Sequence, residues 1–202
     1  AGGSVTSRIT LEFFAQNASS LHSAGDIVDL IQRAHLELAK YGEEKPEYVG
    51  LGTTIAGLLV SESTIIVFNV GDSRVYRVNS GYLEQLSRDQ SFVQALIEQG
   101  VISEEEARYH PKRHVILEAI GGGGDKKMVS VVCRELRLRE ENTFLICSDG
   151  LTDSFSVEGL ESCLREDFRE TMESIFTRVL KEQVDDDVSV ILVSMRKEKR
   201  NA

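Results

Sequence analysis

No apolar run in this chain approaches the roughly 18 residues that a membrane-spanning helix needs, so no span is expected. No signal peptide is visible either. Positive charge is in short supply. The 23 Lys and Arg stand against 33 Asp and Glu, a net charge of −10, which argues against nucleic acid and against an anionic membrane as partners. A phosphorylated substrate would therefore need local positive charge or a metal ion. Cysteine is scarce and odd in number. Cys133, Cys147 and Cys163 lie in apolar or helical contexts with no zinc-site spacing, as expected of reduced thiols in a cytoplasmic protein. None precedes a phosphate-cradling loop, so cysteine-based phosphatase chemistry is not expected. Repeats and domain linkers are lacking too, and 202 residues fit one domain, 1–202. With 41% hydrophobic and 28% charged residues the chain is not expected to be disordered.

The pattern opens on helices. Val5, Ile9 and Phe13 repeat at four-residue steps, with Ser4 as a candidate cap. A second helix is expected from about Asp26 to Tyr41, with a stripe of Ile27, Leu30, Ile31, Ala34 and Leu38, capped by Asp26 and stopped by Gly42. Thr53–Val60, Thr64–Asn69 and Arg74–Val78 then read as strands of an antiparallel meander, with Tyr82–Leu86 as a short addition. From Asp89 to about Gly124 the texture is helical and broken. Ser103-Glu104-Glu105-Glu106 resembles a capping box, and His110-Pro111 ends it. Gly121 to Gly124 reads as a hinge, since a phosphate-binding glycine loop needs a following Lys-Ser/Thr.

Strand patterns return at Met128–Leu138 and Thr143–Cys147, followed by helices near Val157–Leu164 and Phe168–Glu182. The stripe of the latter is Phe168, Met172, Ile175, Phe176 and Val179. A last strand covers Val188–Val193, ahead of a basic tail from Arg196 to Arg200. Helices, strands, a broken insertion, then strands, helices and a strand describe an α+β fold. The expected form is an antiparallel β-sandwich flanked on both sides by helix pairs, four layers in the order α-β-β-α.

Phe144-Leu145-Ile146-Cys147-Ser148-Asp149-Gly150 carries the chemistry. A buried strand ends abruptly in an acid, with Gly making the turn. The final strand is preceded by Asp185-Asp186-Asp187. Two strand ends can set such carboxylates side by side, and a hard cation such as Mg2+ or Mn2+ removes the repulsion. That arrangement suggests metal-assisted hydrolysis.

Five motifs occur in order: Gly52-Thr53-Thr54, Gly71-Asp72-Ser73-Arg74, Arg88-Asp89-Gln90-Ser91, Ser148-Asp149-Gly150 and Asp186-Asp187-Val188-Ser189. Together they resemble the metal-dependent serine/threonine protein phosphatases of the type 2C class, in their bacterial form. The resemblance implies a two-metal centre of Mn2+ or Mg2+ at the mouth of a β-sandwich. It makes Asp149 and Asp186 ligands of the first metal. It matches Asp89 to an acid that helps hold a more weakly bound third ion, so two to three ions are expected. Residues of about 89–124 match a flap subdomain that affects substrate choice. The implied partners are phosphorylated proteins and a cognate serine/threonine kinase.

The same resemblance implies two earlier strands, an Asp-Gly whose acid bridges the metals and an Arg that grips phosphate. These have no counterpart in the 202 residues. The chain starts Ala1-Gly2-Gly3, which suggests a fragment or processed form, and these residues alone are expected to be inactive. A catalytically inactive binding or regulatory module of the same fold is the alternative. The coding sequence ahead of Ala1 discriminates the two.

Taken singly, each site residue has a plainer reading. Asp149 could be a turn residue, the acid run a solvated strand edge and Asp89 a helix cap. Asp72 and Arg74 are expected to stabilise a turn through ionic hydrogen bonds. His110 and His114 read as structural or exposed, His110 as part of a flap hinge. Arg113 is a candidate to meet phosphate.

Overall fold

A computed structural model describes residues 2–45, 48, 50–122, 128–139, 141–182, 184 and 186–196. Two helices come first, α1 (Gly2–Asn17) and α2 (Ala24–Glu44). The α2 stripe of Ile27, Leu30, Ile31, Ala34 and Leu38 is buried as its spacing predicts. Its start differs from expectation. Ser23 is the cap, and Asp26 sits at the third helical position, closing a capping box by accepting the Ser23 N–H at 2.9 Å. Nor does Gly42 stop the helix, which runs two residues further to Glu44. Ser4 lies inside α1 rather than capping it.

Among the described residues, seven strands form two antiparallel sheets. β1 (Ile55–Val60), β2 (Thr64–Val70) and β5 (Val132–Arg137) make the first, in the order β1-β2-β5. β3 (Arg74–Asn79), β4 (Tyr82–Gln85), β6 (Glu141–Cys147) and β7 (Val190–Arg196) make the second, in the order β4-β3-β6-β7. The expected meander is therefore split. β1 and β2 form one hairpin, β3 and β4 another, and the chain changes sheets between Val70 and Arg74. Hydrophobic alternation along contiguous strands reports which face is buried. It does not report which neighbour the next strand will choose.

Alternation on β2 sets the layers. Ile66, Phe68 and Val70 pack with Ile27, Ile31 and Leu38 of α2, while Ile65 and Val67 pack with Val75 and Phe144 of the second sheet. Leu145 and Cys147 then point the other way on β6, into a cluster with Leu151, Phe155, Leu160 and Ile175. Those last four belong to, or directly follow, α5 (Asp149–Ser154), α6 (Val157–Glu161) and α7 (Phe168–Glu182). Three successive apolar clusters thus separate helices, sheet, sheet and helices. Each fully buried Ile or Leu contributes about 1.5–3 kcal/mol.

The outer face of α7 corrects its expected stripe. Ile175 and Thr171 are buried, whereas Phe168 and Phe176 are 45% and 64% exposed. Thr171 takes the inward position because its hydroxyl accepts the Arg165 N–H at 2.9 Å, tying α7 to the preceding turn. The segment after β4 carries two short helices, α3 (Phe92–Glu98) and α4 (Glu104–Arg108). The capping box expected at Ser103 and Glu106 is present.

The glycine run is not a free hinge where it is described. Gly121 has φ +77°, and a Cβ there would meet Leu38 Cβ at 2.7 Å. Its N–H donates to Nδ1 of the buried His35 at 3.0 Å. A Cβ on Gly52 would meet the Gly122 nitrogen at 2.8 Å. These glycines permit close packing. Gly123 and Gly124 lie outside the described residues, as do Asp185 and most of the basic tail.

Candidate active site

β6 and β7 pair in register to Cys147↔Val190, and the chain beyond each strand carries an acid. Ser148 joins the two ends. Its N–H donates to the Ser189 carbonyl at 3.0 Å, its hydroxyl accepts the Ser189 N–H at 3.0 Å, and the same hydroxyl donates to the Asp187 carbonyl at 3.3 Å. Gly150 allows the loops to touch, because a Cβ there would lie 2.5 Å from the Asp187 carbonyl oxygen. Its φ is not positive. Gly150 therefore serves close approach, not the turn expected of it, and Asp149 begins helix α5.

The Asp149 carboxyl is half-buried and accepts the Gly150 N–H at 3.0 Å. Burial raises its pKa above the usual carboxylate range, and the charges of Asp153 and Asp186 raise it further. Asp186 is exposed, with Oδ1 accepting the Asp187 N–H at 2.7 Å.

A third acid arrives from the point where the chain changes sheets. Gly71, at φ +93°, turns it sharply, and a Cβ there would meet Thr54 Cγ2 at 2.3 Å. Gln90 clamps Gly71 from both sides. Its Oε1 accepts the Gly71 N–H at 2.7 Å, and its own N–H donates to the Gly71 carbonyl at 3.0 Å. Asp72, next along, is buried among acids. Desolvation, followed by repulsion from Asp149, Asp89 and Asp153, pushes its pKa up to about 6. The expected turn-stabilising role of Asp72 is thus not what its surroundings indicate. Its charge is uncompensated and faces Asp149 across the cleft.

Asp89 is the opposite case. Arg74 Nε donates to both of its oxygens, at 3.0 and 2.9 Å, and Nη2 donates at 2.6 Å. Gln85 Nε2 adds a fourth contact at 2.9 Å. Both oxygens of Asp89 are thus engaged within the fold, so the metal expected at Asp89 would have to share them with Arg74 and Gln85. Asp89 is not a helix cap, since Ser91 caps α3. The expected ionic role of Arg74 does fit.

These elements enclose a cleft of about 400 Å³, lined on one side by Asp72, Asp149 and Asp153 and on the other by α3, α4 and Arg113. His114 Nδ1 contacts Asp153 Oδ2 at 2.9 Å, joining the flap side of the cleft to α5. His110 is turned inward, its ring against Phe92 and its Nδ1 accepting the Lys112 N–H. Among the described residues no three Asp, Glu, His or Cys side chains are close enough to hold an ion by themselves. Sequence reasoning missed Asp72 as a site residue. The signal was a conformationally special Gly directly before an acid, at the start of a strand that leaves one sheet for the other.

The model of the family described as protein phosphatase 2C matches residues 1–192. A serine/threonine phosphatase, stp, from Listeria monocytogenes is 32% identical over 165 residues, which cover 81% of this chain and 64% of that protein. The chain thus spans less than two thirds of the length of such curated relatives. A crystal structure of a bacterial serine phosphatase superposes with TM-score 0.79 at 32% identity, covering 88% of this chain and 71% of the other. The catalytic domain of the serine/threonine protein phosphatase PstP, solved in complex with two manganese ions, superposes with TM-score 0.79 at 26% identity over 95% of this chain and 80% of that one. No described helix is long and apolar enough to cross a membrane. The match over nearly the full length, on a fold whose paired strand ends carry the expected acids, places the chain in the protein phosphatase 2C family.

Proposed function

We propose that this chain carries the core of a protein serine/threonine phosphatase that hydrolyses phosphoserine and phosphothreonine with divalent metal ions. The observation that supports this most is the juxtaposition of Asp149 and Asp186 at the joined ends of β6 and β7, with buried Asp72 facing Asp149. Acids raised by mutual repulsion suit a hard cation, and carboxylate oxygens suit Mn2+ or Mg2+. Asp149, Asp186 and Asp72 are the side chains that would hold such ions, two to three in number, with water oxygens completing each shell. When bound, the metal supplies an activated water and screens the phosphoryl oxygens.

The chain's own part is positional. Ser148 and Gly150 hold the two acid-bearing loops in contact, and Gln90 fixes the turn that presents Asp72. Within a single domain, residues of about 89–124 are read as a flap, whose described part, 89–122, walls the cleft. The partners are phosphorylated proteins and a cognate serine/threonine kinase that supplies them. Three free cysteines suit a cytoplasmic setting. The inactive binding module is the weaker reading, because a pure scaffold has no use for uncompensated buried acids. In the intact protein, turnover of a phosphothreonine peptide should require Mn2+ or Mg2+ and vanish on chelation. Turnover that survives chelation, or none at any metal concentration, overturns the proposal.

A further inference from the structure

The two walls of the cleft differ in charge. The inner wall presents Asp72, Asp149 and Asp153, and the flap presents Arg108, Tyr109 and Arg113. Arg74, the third arginine lining the cleft, is already committed, as are several arginines elsewhere. Arg74, Arg77, Arg88 and Arg178 form ion pairs with Asp89, Glu84, Glu98 and Glu182. The guanidiniums of Arg108 and Arg113 make no hydrogen bond or ion pair among the described residues, and both side chains are exposed. Arg108 acts on Glu158 only through its field. Glu104 also lines this wall. Tyr109, 82% exposed, stands between the two arginines in sequence. In a chain of net charge −10, two uncommitted arginines and an open aromatic ring on one wall are an arrangement without a structural use.

We propose that this wall selects the residues flanking the phosphorylated one. Arg108 and Arg113 pair with Asp or Glu side chains of an acidic phosphopeptide, and Tyr109 lies against its chain. The inference rests on the phosphatase reading of the cleft. Guanidinium favours carboxylate because its planar fork donates two parallel hydrogen bonds. A basic flanking residue would meet Arg108 and Arg113 as like charges. Asp153, on the opposite wall, is already contacted by His114.

The test uses the intact protein and three phosphothreonine peptides that differ only in two flanking residues, Asp, Ala or Lys. Binding is read by fluorescence anisotropy and turnover by kcat/KM, both with Mn2+. The Asp peptide should be preferred over the Ala peptide by about three- to tenfold, and the Lys peptide should be worst. Raising NaCl from 0.05 to about 0.5 M should erase most of the preference. The double variant Arg108→Glu with Arg113→Glu, both exposed and expected to fold, should reverse the order of the peptides. Equal binding of the three peptides, preference for Lys, or a preference unchanged in the double variant overturns the proposal. Selective binding without turnover of any peptide would leave the wall assigned and sink the phosphatase reading. Turnover of all three without selectivity would do the reverse.

Discussion

Asp72 and Asp89 line the same cleft and are almost equally buried, yet they have opposite environments. Asp89 is enclosed by the Arg74 fork and Gln85, and the pair ties the start of β3 to the entrance of the flap. Asp72 faces Asp149, Asp89 and Asp153 and is pushed up to about 6. Burial of a charge costs several kcal/mol unless it is matched. The match for Asp89 is built into the fold. The match for Asp72 has to come from outside it. The difference marks Asp89 as the acid of an ion pair built into the fold and Asp72 as an acid without one.

The largest expected effect is on the acids that share the unmatched environment. In the intact protein, Asp149→Asn and Asp186→Asn should each lower phosphopeptide turnover by roughly 10²- to 10³-fold, because each removes a negative charge that would face the proposed metal. Calorimetric titration with Mn2+ should show weakened binding, while the melting temperature in chelator should not fall. Wild-type turnover in either variant would remove these residues from the site.

Asp89→Ala should behave in the opposite sense. It strands the Arg74 guanidinium, whose side chain is 26% exposed, so the cost should be about 2–4 kcal/mol of stability, a little under that of breaking a fully buried pair. Urea unfolding measures it. The double variant Arg74→Met with Asp89→Leu should recover much of the loss, since removing both charges leaves neither stranded. An Asp89→Ala protein of unchanged stability but weakened Mn2+ binding would mark Asp89 as a ligand and collapse the contrast with Asp72.

How much of this was legible in the sequence follows the same division. Periodicity located both helix layers and all seven strands, because burial of one face leaves a repeating mark. The α2 stripe is the clearest case. The acids at the ends of β6 and β7 were legible because a strand that stops at Asp-Gly announces a rim. What could not be read was which cation answers which acid. Arg74 lies two residues from Asp72 and fifteen from Asp89, yet it pairs with Asp89. Likewise, Gly121 and Gly150 read as hinge and turn, because glycine in a sequence does not say whether it supplies freedom or merely lacks a Cβ. Their neighbours, Leu38 and the Asp187 carbonyl, arrive from distant parts of the chain.

The unmatched state of Asp72 gives a pH signature of smaller size. Its folded pKa, about 6, lies above the ordinary Asp value of 3.8, so the folded state holds the proton more tightly. Stability from this group is complete below about pH 4 and is lost as pH rises through 6, by about 2–3 kcal/mol in the absence of metal. Asp72→Asn should therefore be more stable than wild type at pH 7.5 in chelator, and the gap should close towards pH 4. Added Mn2+ should narrow the gap at pH 7.5, because a bound cation compensates the wild-type acid. A pH-independent difference would mean that Asp72 is not strained by its neighbours.

The smallest effect tests the join between the loops. The Ser148 hydroxyl accepts from the Ser189 N–H and donates to the Asp187 carbonyl, so its side chain bridges the ends of β6 and β7. Ser148→Ala keeps the backbone bond from the Ser148 N–H to the Ser189 carbonyl and removes the other two. Both lost partners are exposed enough for water to replace the hydroxyl, so the stability cost should be about 1 kcal/mol. The positional cost should be more visible. Asp186 lies one residue before Asp187, and a loosened loop blurs its placement against Asp149. Mn2+ affinity should therefore fall severalfold more than the stability loss alone would suggest, while Thr at the same position, which keeps the hydroxyl, should retain most of it. If Ser148→Ala loses stability but binds Mn2+ like wild type, the two acids are positioned by the strands alone and the serine is only a turn residue.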